Sequence, residues 1–285
     1  MVRAHNSKFD FYALLRLTRF WNLVIIGMSQ YFAAIFLIDK QLISDWRLFV
    51  LASSTAIIAA AGYIINDYYD IKIDLINKPE RVVIGKSIAR RYALLFHTVL
   101  SVLGVLIGFL LNWKLGVIHF MSAFLLWWYS NSLKRQPFIG NFVVAWLTGI
   151  SVVIVNVLYD TTNVLVIIYA LFAFFMTLVR EIIKDMEDLK GDNTFGCQTL
   201  PIRWGIRNTK LVVYLILAIF SILVILVNAY FAQLPHYYFS VFLFIPLGLF
   251  VFKLISADTK RDFYLLSQWC KIIMLLGVAS MIFIN

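Results

Sequence analysis

Six aspartates fall into two sets of identical spacing. Asp67, Asp70 and Asp74 stand at i, i+3 and i+7 in the run Asn66-Asp67-Tyr68-Tyr69-Asp70-Ile71-Lys72-Ile73-Asp74. Asp185, Asp188 and Asp192 repeat the interval in a run that begins at Arg180-Glu181 and ends at Gly191-Asp192. On a helix these positions share one face. Like charges so placed destabilise the helix unless a cation joins them. Carboxylate oxygens suit hard Mg²⁺, which is usually held by one or two carboxylates plus substrate phosphates. Bases stand beside both sets: Lys72, Lys78, Arg81 and Lys86 by the first, Arg180 and Lys184 by the second. The expected chemistry is a Mg²⁺-bridged diphosphate, with acids on the metal and bases on the phosphate.

The elements that must position these groups are membrane helices. Apolar residues make up 62% of the 285 residues and charged residues 14%, against about 45–50% and about 25% in soluble proteins. Such a chain needs lipid as its solvent. A soluble enzyme, a disordered chain and a disulfide scaffold are excluded, as is a β-barrel, whose strands alternate apolar and polar residues. Continuous apolar runs place spans near 20–38, 48–65, 92–111, 115–129, 141–158, 164–179, 211–231, 237–255 and 266–284. The expected fold is an all-α membrane protein with nine transmembrane helices. The long connections, 66–91 and 180–210, carry most of the charge and both aspartate sets.

Charge asymmetry sets the orientation. With a cytoplasmic N-terminus, only Lys40, Arg47 and Lys114 of the 25 Lys and Arg fall outside. Three of the 15 acids do so too, Asp39, Asp45 and Asp160. The expectation is therefore N-terminus cytoplasmic, C-terminus outside, in the cell (plasma) membrane, with the site facing the cytoplasm. No removable signal peptide is read in residues 1–19, and no linker divides residues 1–285 into more than one domain. No nucleic-acid partner is expected. Cys197 and Cys270 lack a metal or redox spacing and read as unpaired thiols. His5, His97, His119 and His236 form no ligand pair and read as structural. Trp21, Trp46, Trp113, Tyr237 and Tyr238 lie near span ends, as an aromatic belt does. Trp127 and Trp128 suit either a belt or a tunnel wall.

Three functions compete on these residues. One acid cluster alone reads as a solvated loop, but two of equal spacing at the ends of spans favour a shared site. A cation-coupled transporter would keep its ionisable groups near the midplane, on broken helices. Here the expected spans contain no Asp or Glu. A non-catalytic scaffold or lipid-binding protein needs neither cluster.

At these residues the sequence resembles the UbiA-type membrane-embedded prenyltransferases. The match is to their Asn-Asp-x-x-Asp-x-x-x-Asp motif, here Asn66 to Asp74, and to an Asn-Arg-Pro-x-Arg stretch, here Asn77-Lys78-Pro79-Glu80-Arg81. The second motif, Asp185 to Asp192, follows span six as in that family. Arg180-Glu181-x-x-Lys184-Asp185-x-Glu187-Asp188-x-x-Gly191-Asp192, then Gly196-x-x-Thr199-Leu200-Pro201 and Gly205, looks most like the geranylgeranylglyceryl-phosphate geranylgeranyltransferase branch. After Arg81 the chain departs from the family's Pro-Ile-x-Ser-Gly and reads Val82-Val83-Ile84-Gly85-Lys86.

The resemblance implies transfer of a prenyl group from an allylic diphosphate to a lipophilic acceptor, with Mg²⁺. In the branch it favours, the acceptor is geranylgeranylglyceryl phosphate; the alternative is an aromatic ring of quinone-type biosynthesis. It implies metal and catalytic roles for Asp67, Asp70, Asp74, Asp185, Asp188 and Asp192, assisted by Asn66. Diphosphate contacts fall on Asn22, Asn66, Arg81, Lys134, Arg180 and Lys184. Lys134 enters through Tyr129-Ser130-x-x-Leu133-Lys134, and Asn22 as a polar residue of span one. Gly140-Asn141 opens span five, either as a plain turn or as a place where backbone approaches substrate.

Overall fold

The computed structural model describes residues 11–230 and 239–284. The expected start of span eight, Tyr237 and Tyr238, lies outside the described residues, as do His5, Asp10, Phe231 and His236. Within them the chain is helical, and only one isolated bridge, Ile84 with Ile88, is strand-like.

The helices are α1 (Phe11–Leu17), α2 (Phe20–Phe32), α3 (Trp46–Asn77), α4 (Arg90–Leu111), α5 (Trp113–Asn131) and α6 (Ile139–Leu158). There follow α7 (Val164–Glu187), the short α8 (Leu189–Thr194), α9 (Leu200–Tyr230, interrupted at Gly205), α10 (Ile245–Ser256) and α11 (Lys260–Ser280). α2 runs on as a wider π-helical turn, Ala33–Ile38, and a similar turn, Phe239–Phe244, leads into α10.

Among the described residues, seven helices are long and apolar enough to cross a membrane. Two of the nine expected spans fall short of that measure for different reasons. α5 has the length, but Trp, His, Lys, Ser and Asn dilute its apolar character. α10 has the character but only 12 residues.

α3 and α7 hold the bundle together. Each is 61% buried over its most apolar stretch, whereas the other spanning helices are 11–39% buried. α3 packs on α2, α4 and α5, and α7 packs on α6, α9 and α11. A helix buried all round reads as apolar all round, which suits their long Ile-, Ala- and Phe-rich runs. These two helices end in the two aspartate motifs, so the most buried spanning helices carry the charged groups.

Large apolar side chains elsewhere face outward, among them Leu110 and Phe252. With lipid as solvent this is the expected arrangement. Trp21, Trp46 and Trp113 are 76%, 68% and 68% exposed at helix ends, as a belt requires. Trp127 and Trp128 are also exposed and take no part in the central cavity, so they belong to the outer surface. Charge divides between the ends of the bundle. Lys114 pairs with Asp160 at 3.3 Å, and Arg47 with Asp45 at 2.8 Å while lying over the Tyr159 ring. The aspartate motifs gather at the opposite end.

The segment that departs from the family pattern has its own packing. Val83, Ile84 and Ile88 are buried with Leu17, Ile64 and Ala93, tying α1 to α3 and α4. Gly85 turns the chain at φ 89°, a conformation that favours glycine, and its N–H donates to the Ile88 carbonyl at 2.8 Å. Replacing a polar loop by Val-Val-Ile is thus repaid by apolar contact.

Candidate active site

The spacing of the first motif correctly anticipates a helix. α3 continues without a break to Asn77, so Asp67, Asp70 and Asp74 share a face. The second motif is less regular than its spacing suggests. α7 ends at Glu187, and Asp188 sits at φ −94°, ψ 8° before α8 begins. Asp188 N–H still reaches the Lys184 carbonyl at 2.8 Å, and Asp192 N–H the Asp188 carbonyl at 3.2 Å. The helix bends at Asp188 while its hydrogen-bond ladder carries through.

One side chain pins the two motifs together. Asn77, buried at the end of α3, donates from Nδ2 to the Asp188 carbonyl at 2.9 Å. Its Oδ1 accepts from Gly191 N–H, also at 2.9 Å. Lys78 then reaches across to Asp188 at 2.8 Å and Glu187 at 3.1 Å. Burial works against the Lys78 ammonium, but these two carboxylates outweigh it and hold its pKa above the usual lysine range.

Each aspartate has a distinct environment. Asp67 accepts from Arg19 at 2.9 Å, Asp70 is paired with Lys134, and Asp185 accepts from Asn141 Nδ2 at 2.8 Å. Asn141 thus serves the second motif, while Gly140 lets α6 pack against the Leu133–Lys134 backbone. Asp192 is pushed up to about 7, chiefly by burial and then by the charges of Asp188 and Asp70, with Lys134 and Lys78 opposing. That coupling of Asp192 to Asp70 reflects how closely the motifs oppose each other.

The donor set fits a hard cation. Asp188 Oδ1 and Asn66 Oδ1 are enclosed oxygens with no hydrogen-bond partner among the described residues. Among the same residues, no three acid, His or Cys side chains converge as a ready-made cage. An open, oxygen-only site suits Mg²⁺, which draws its remaining ligands from phosphate and water. Meanwhile Lys78 and Lys134 neutralise Asp188 and Asp70.

Behind the motifs lies a cavity of about 240 Å³ walled by α2, α3, α5, α6, α7 and α11. Its sides are mostly apolar, with Ile25, Ile58, Leu126, Leu147, Ile154 and Met274 among them. Of the residues expected to contact the diphosphate, Asn22, Asn66, Arg180 and Lys184 line it, and Asn22 donates to the Tyr63 hydroxyl at 3.3 Å. Arg81 is not brought in: it is exposed on the Pro79–Arg81 turn, 3.9 Å from Glu80.

The sequence reading missed Arg19, Glu181 and Lys271, all of which line the cavity. Glu181 accepts from Arg180 at 2.7 Å and Lys184 at 2.9 Å. A charged residue inside an otherwise apolar span is a functional signal, and Lys271 in α11 carries it. His119 also lines the cavity, 2% exposed, with no partner for its Nδ1 among the described residues. Cys197 and Cys270 are free and buried, and burial pushes the Cys197 thiol up to about 11, so it is not a ready nucleophile.

The profile of the UbiA prenyltransferase family matches residues 28–272. A digeranylgeranylglyceryl phosphate synthase from Methanosphaera stadtmanae is 33% identical over 235 residues, which is 81% of this chain and 85% of that protein. A solved structure concerned with digeranylgeranylglyceryl phosphate synthase in membranes shares 26% identity at a TM-score of 0.69, covering 95% of this chain and 96% of that one. A UbiA homologue from Archaeoglobus fulgidus, solved with GPP and Mg²⁺, shares the fold at 16% identity and a TM-score of 0.63, covering 94% and 99%. The chain is an integral membrane protein and belongs to the UbiA prenyltransferase family.

Proposed function

We propose that this enzyme transfers a geranylgeranyl group from its diphosphate to geranylgeranylglyceryl phosphate, forming the second ether bond of a membrane lipid precursor. The observation that carries the reading is the pinning of Asp188 and Gly191 by Asn77, which sets the two motifs against each other over the cavity. The likeness to digeranylgeranylglyceryl phosphate synthases supports the choice of acceptor.

In this reading Asp67, Asp70, Asp74, Asp185, Asp188 and Asp192, with Asn66, hold Mg²⁺ directly or through water. A bound Mg²⁺ would supply positive charge to stabilise the departing pyrophosphate. Lys134 and Lys78 turn from their carboxylates toward phosphate oxygens. The apolar cavity walls take the prenyl chain and exclude water, which would otherwise capture the allylic cation. The donor's C1–O bond breaks and pyrophosphate leaves with the electron pair. The acceptor hydroxyl oxygen then bonds to C1 and its proton passes to the released pyrophosphate. Nine spans in a single domain over residues 1–285, with a cytoplasmic N-terminus and an outer C-terminus in the cell membrane, would put this site at the inner surface. The charge division between the two ends of the bundle supports that orientation.

The test is an acceptor screen on purified protein with labelled geranylgeranyl diphosphate and Mg²⁺. It offers geranylgeranylglyceryl phosphate, a naphthoate and a hydroxybenzoate, each with an EDTA control. The expected result is EDTA-sensitive transfer to the glyceryl phosphate. Transfer only to an aromatic acceptor would overturn the choice of acceptor, and no transfer to any would overturn the activity.

A further inference from the structure

Around the cavity stand four cations, Arg19, Arg180, Lys184 and Lys271, and one acid, Glu181. None of the six motif aspartates lines it. Glu181 is bonded to Arg180 and Lys184, so a single carboxylate faces two bases. Arg180 Nε is enclosed with no partner among the described residues. Lys271 lines the cavity from α11, a helix that carries neither motif, and no carboxylate is paired with it among the described residues.

Arg19 reaches the cavity through an unusual backbone. It occupies the left-handed region at φ 52°, ψ 52° between α1 and α2. That conformation is uncommon for a non-glycine residue and persists where the surroundings enforce it. Asp67 holds the guanidinium at 2.9 Å, and the Tyr63 ring lies 4.7 Å beneath it. The strain is therefore spent on turning a cation inward.

Four cations against two carboxylates, Asp67 and Glu181, leave an excess of positive charge in a low-dielectric space, which is unfavourable until an anion joins them. A phosphate group carries close to two charges and three acceptor oxygens at neutral pH, and arginine forks fit it well. In the function proposed above, the donor diphosphate would be met by the carboxylate-bound metal and by Lys78 and Lys134.

We propose that Arg19, Arg180, Lys184 and Lys271 form a second anion subsite, which holds the phosphomonoester of the lipid acceptor. This deepens the function proposed above and rests on it. It moves Arg180 and Lys184 from donor to acceptor. Because the subsite needs no divalent cation, it binds the acceptor in EDTA. It also explains how a site walled by lipid-like side chains selects a phosphorylated lipid: the alcohol lacking the phosphate leaves Lys271 and the excess of cations over Asp67 and Glu181 unmet.

The experiment measures equilibrium binding of radiolabelled geranylgeranylglyceryl phosphate and of geranylgeranylglycerol to purified protein in EDTA without donor. The wild type is expected to bind the phosphate lipid at least tenfold more tightly. Lys271→Gln should close most of that gap and Lys271→Arg should keep it, while Mg²⁺-dependent affinity for the donor stays within twofold in both. An unchanged gap in Lys271→Gln would overturn the proposal. So would an equal loss of donor affinity, which would assign these cations to the diphosphate, or a wild type that binds both lipids alike. Discrimination by a wild type that transfers nothing would uphold the subsite and defeat the catalytic reading, so the two fail separately.

Discussion

Gly191→Ala tests how the two motifs are joined. Gly191 lies in α8 with its backbone N–H on Asn77 Oδ1 at 2.9 Å. A Cβ added there would come within 2.6 Å of Asn77 Cγ, a distance that real side chains do not tolerate. Asn77 must leave, and with it go its bonds to Gly191 and to the Asp188 carbonyl. Each buried group left unpartnered costs about 1–3 kcal/mol, so two bonds come to about 2–6 kcal/mol. Alanine's better helix propensity returns about 1 kcal/mol. The net expectation is about 1–5 kcal/mol of destabilisation, read as a lowered Tm in detergent. Because the bond network fixes the separation of the motifs, Mg²⁺-dependent transfer should fall about 100-fold, the scale of a 1 Å misplacement.

The control is a cycle with Asn77→Ala. In that background the clash is absent, so adding Gly191→Ala should cost little, and the pair should show a coupling of about 0.5–3 kcal/mol. Wild-type Tm and turnover in Gly191→Ala, or strictly additive losses in the cycle, would refute the reasoning.

Three further outcomes are expected. Asp70→Ala and Asp188→Ala should each abolish prenyl transfer while the protein still inserts into the membrane, measured by radiolabelled transfer and membrane fractionation. Lys78→Met removes the partner of buried Glu187 and of Asp188; leaving such a charge unpaired costs about 3–5 kcal/mol, seen as a lower unfolding midpoint. Asp192 titrates near 7 before metal binds. It takes up a proton as pH falls through that value, so apparent Mg²⁺ affinity in a metal titration of turnover should weaken below about pH 7 and level off above about pH 8.

Much of the site was legible because spacing and helix geometry speak directly to each other. Asp67, Asp70 and Asp74 stay on one face since nothing in Asn66–Asn77 breaks the helix. The bend at Asp188 was not legible, because the i to i+4 bonds survive it and the spacing stays the same. Arg19 reads in sequence as a charge at a membrane boundary; its inward turn depends on Asp67, 48 residues later. Lys271 was counted among the bases facing the inner side, whereas its place inside an apolar span was the sign of a buried role. Arg81 differs the other way: a motif position predicts its type, and the 3₁₀ turn places it outside the cavity, exposed. Of the nine expected spans, the fourth, α5, was read from a shorter apolar run than those of α3 and α7, and the latter two are the ones the core is built on.

The central claim is that both motifs share one metal-bound diphosphate, and Mn²⁺ standing in for Mg²⁺ can report it by EPR. Without donor, Mn²⁺ should bind weakly, since no closed cage exists among the described residues. With geranylgeranyl diphosphate added, binding should tighten at least tenfold in the wild type and be lost in both Asp70→Asn and Asp188→Asn. Tight Mn²⁺ binding that ignores the donor, or that survives loss of either aspartate, would contradict the account.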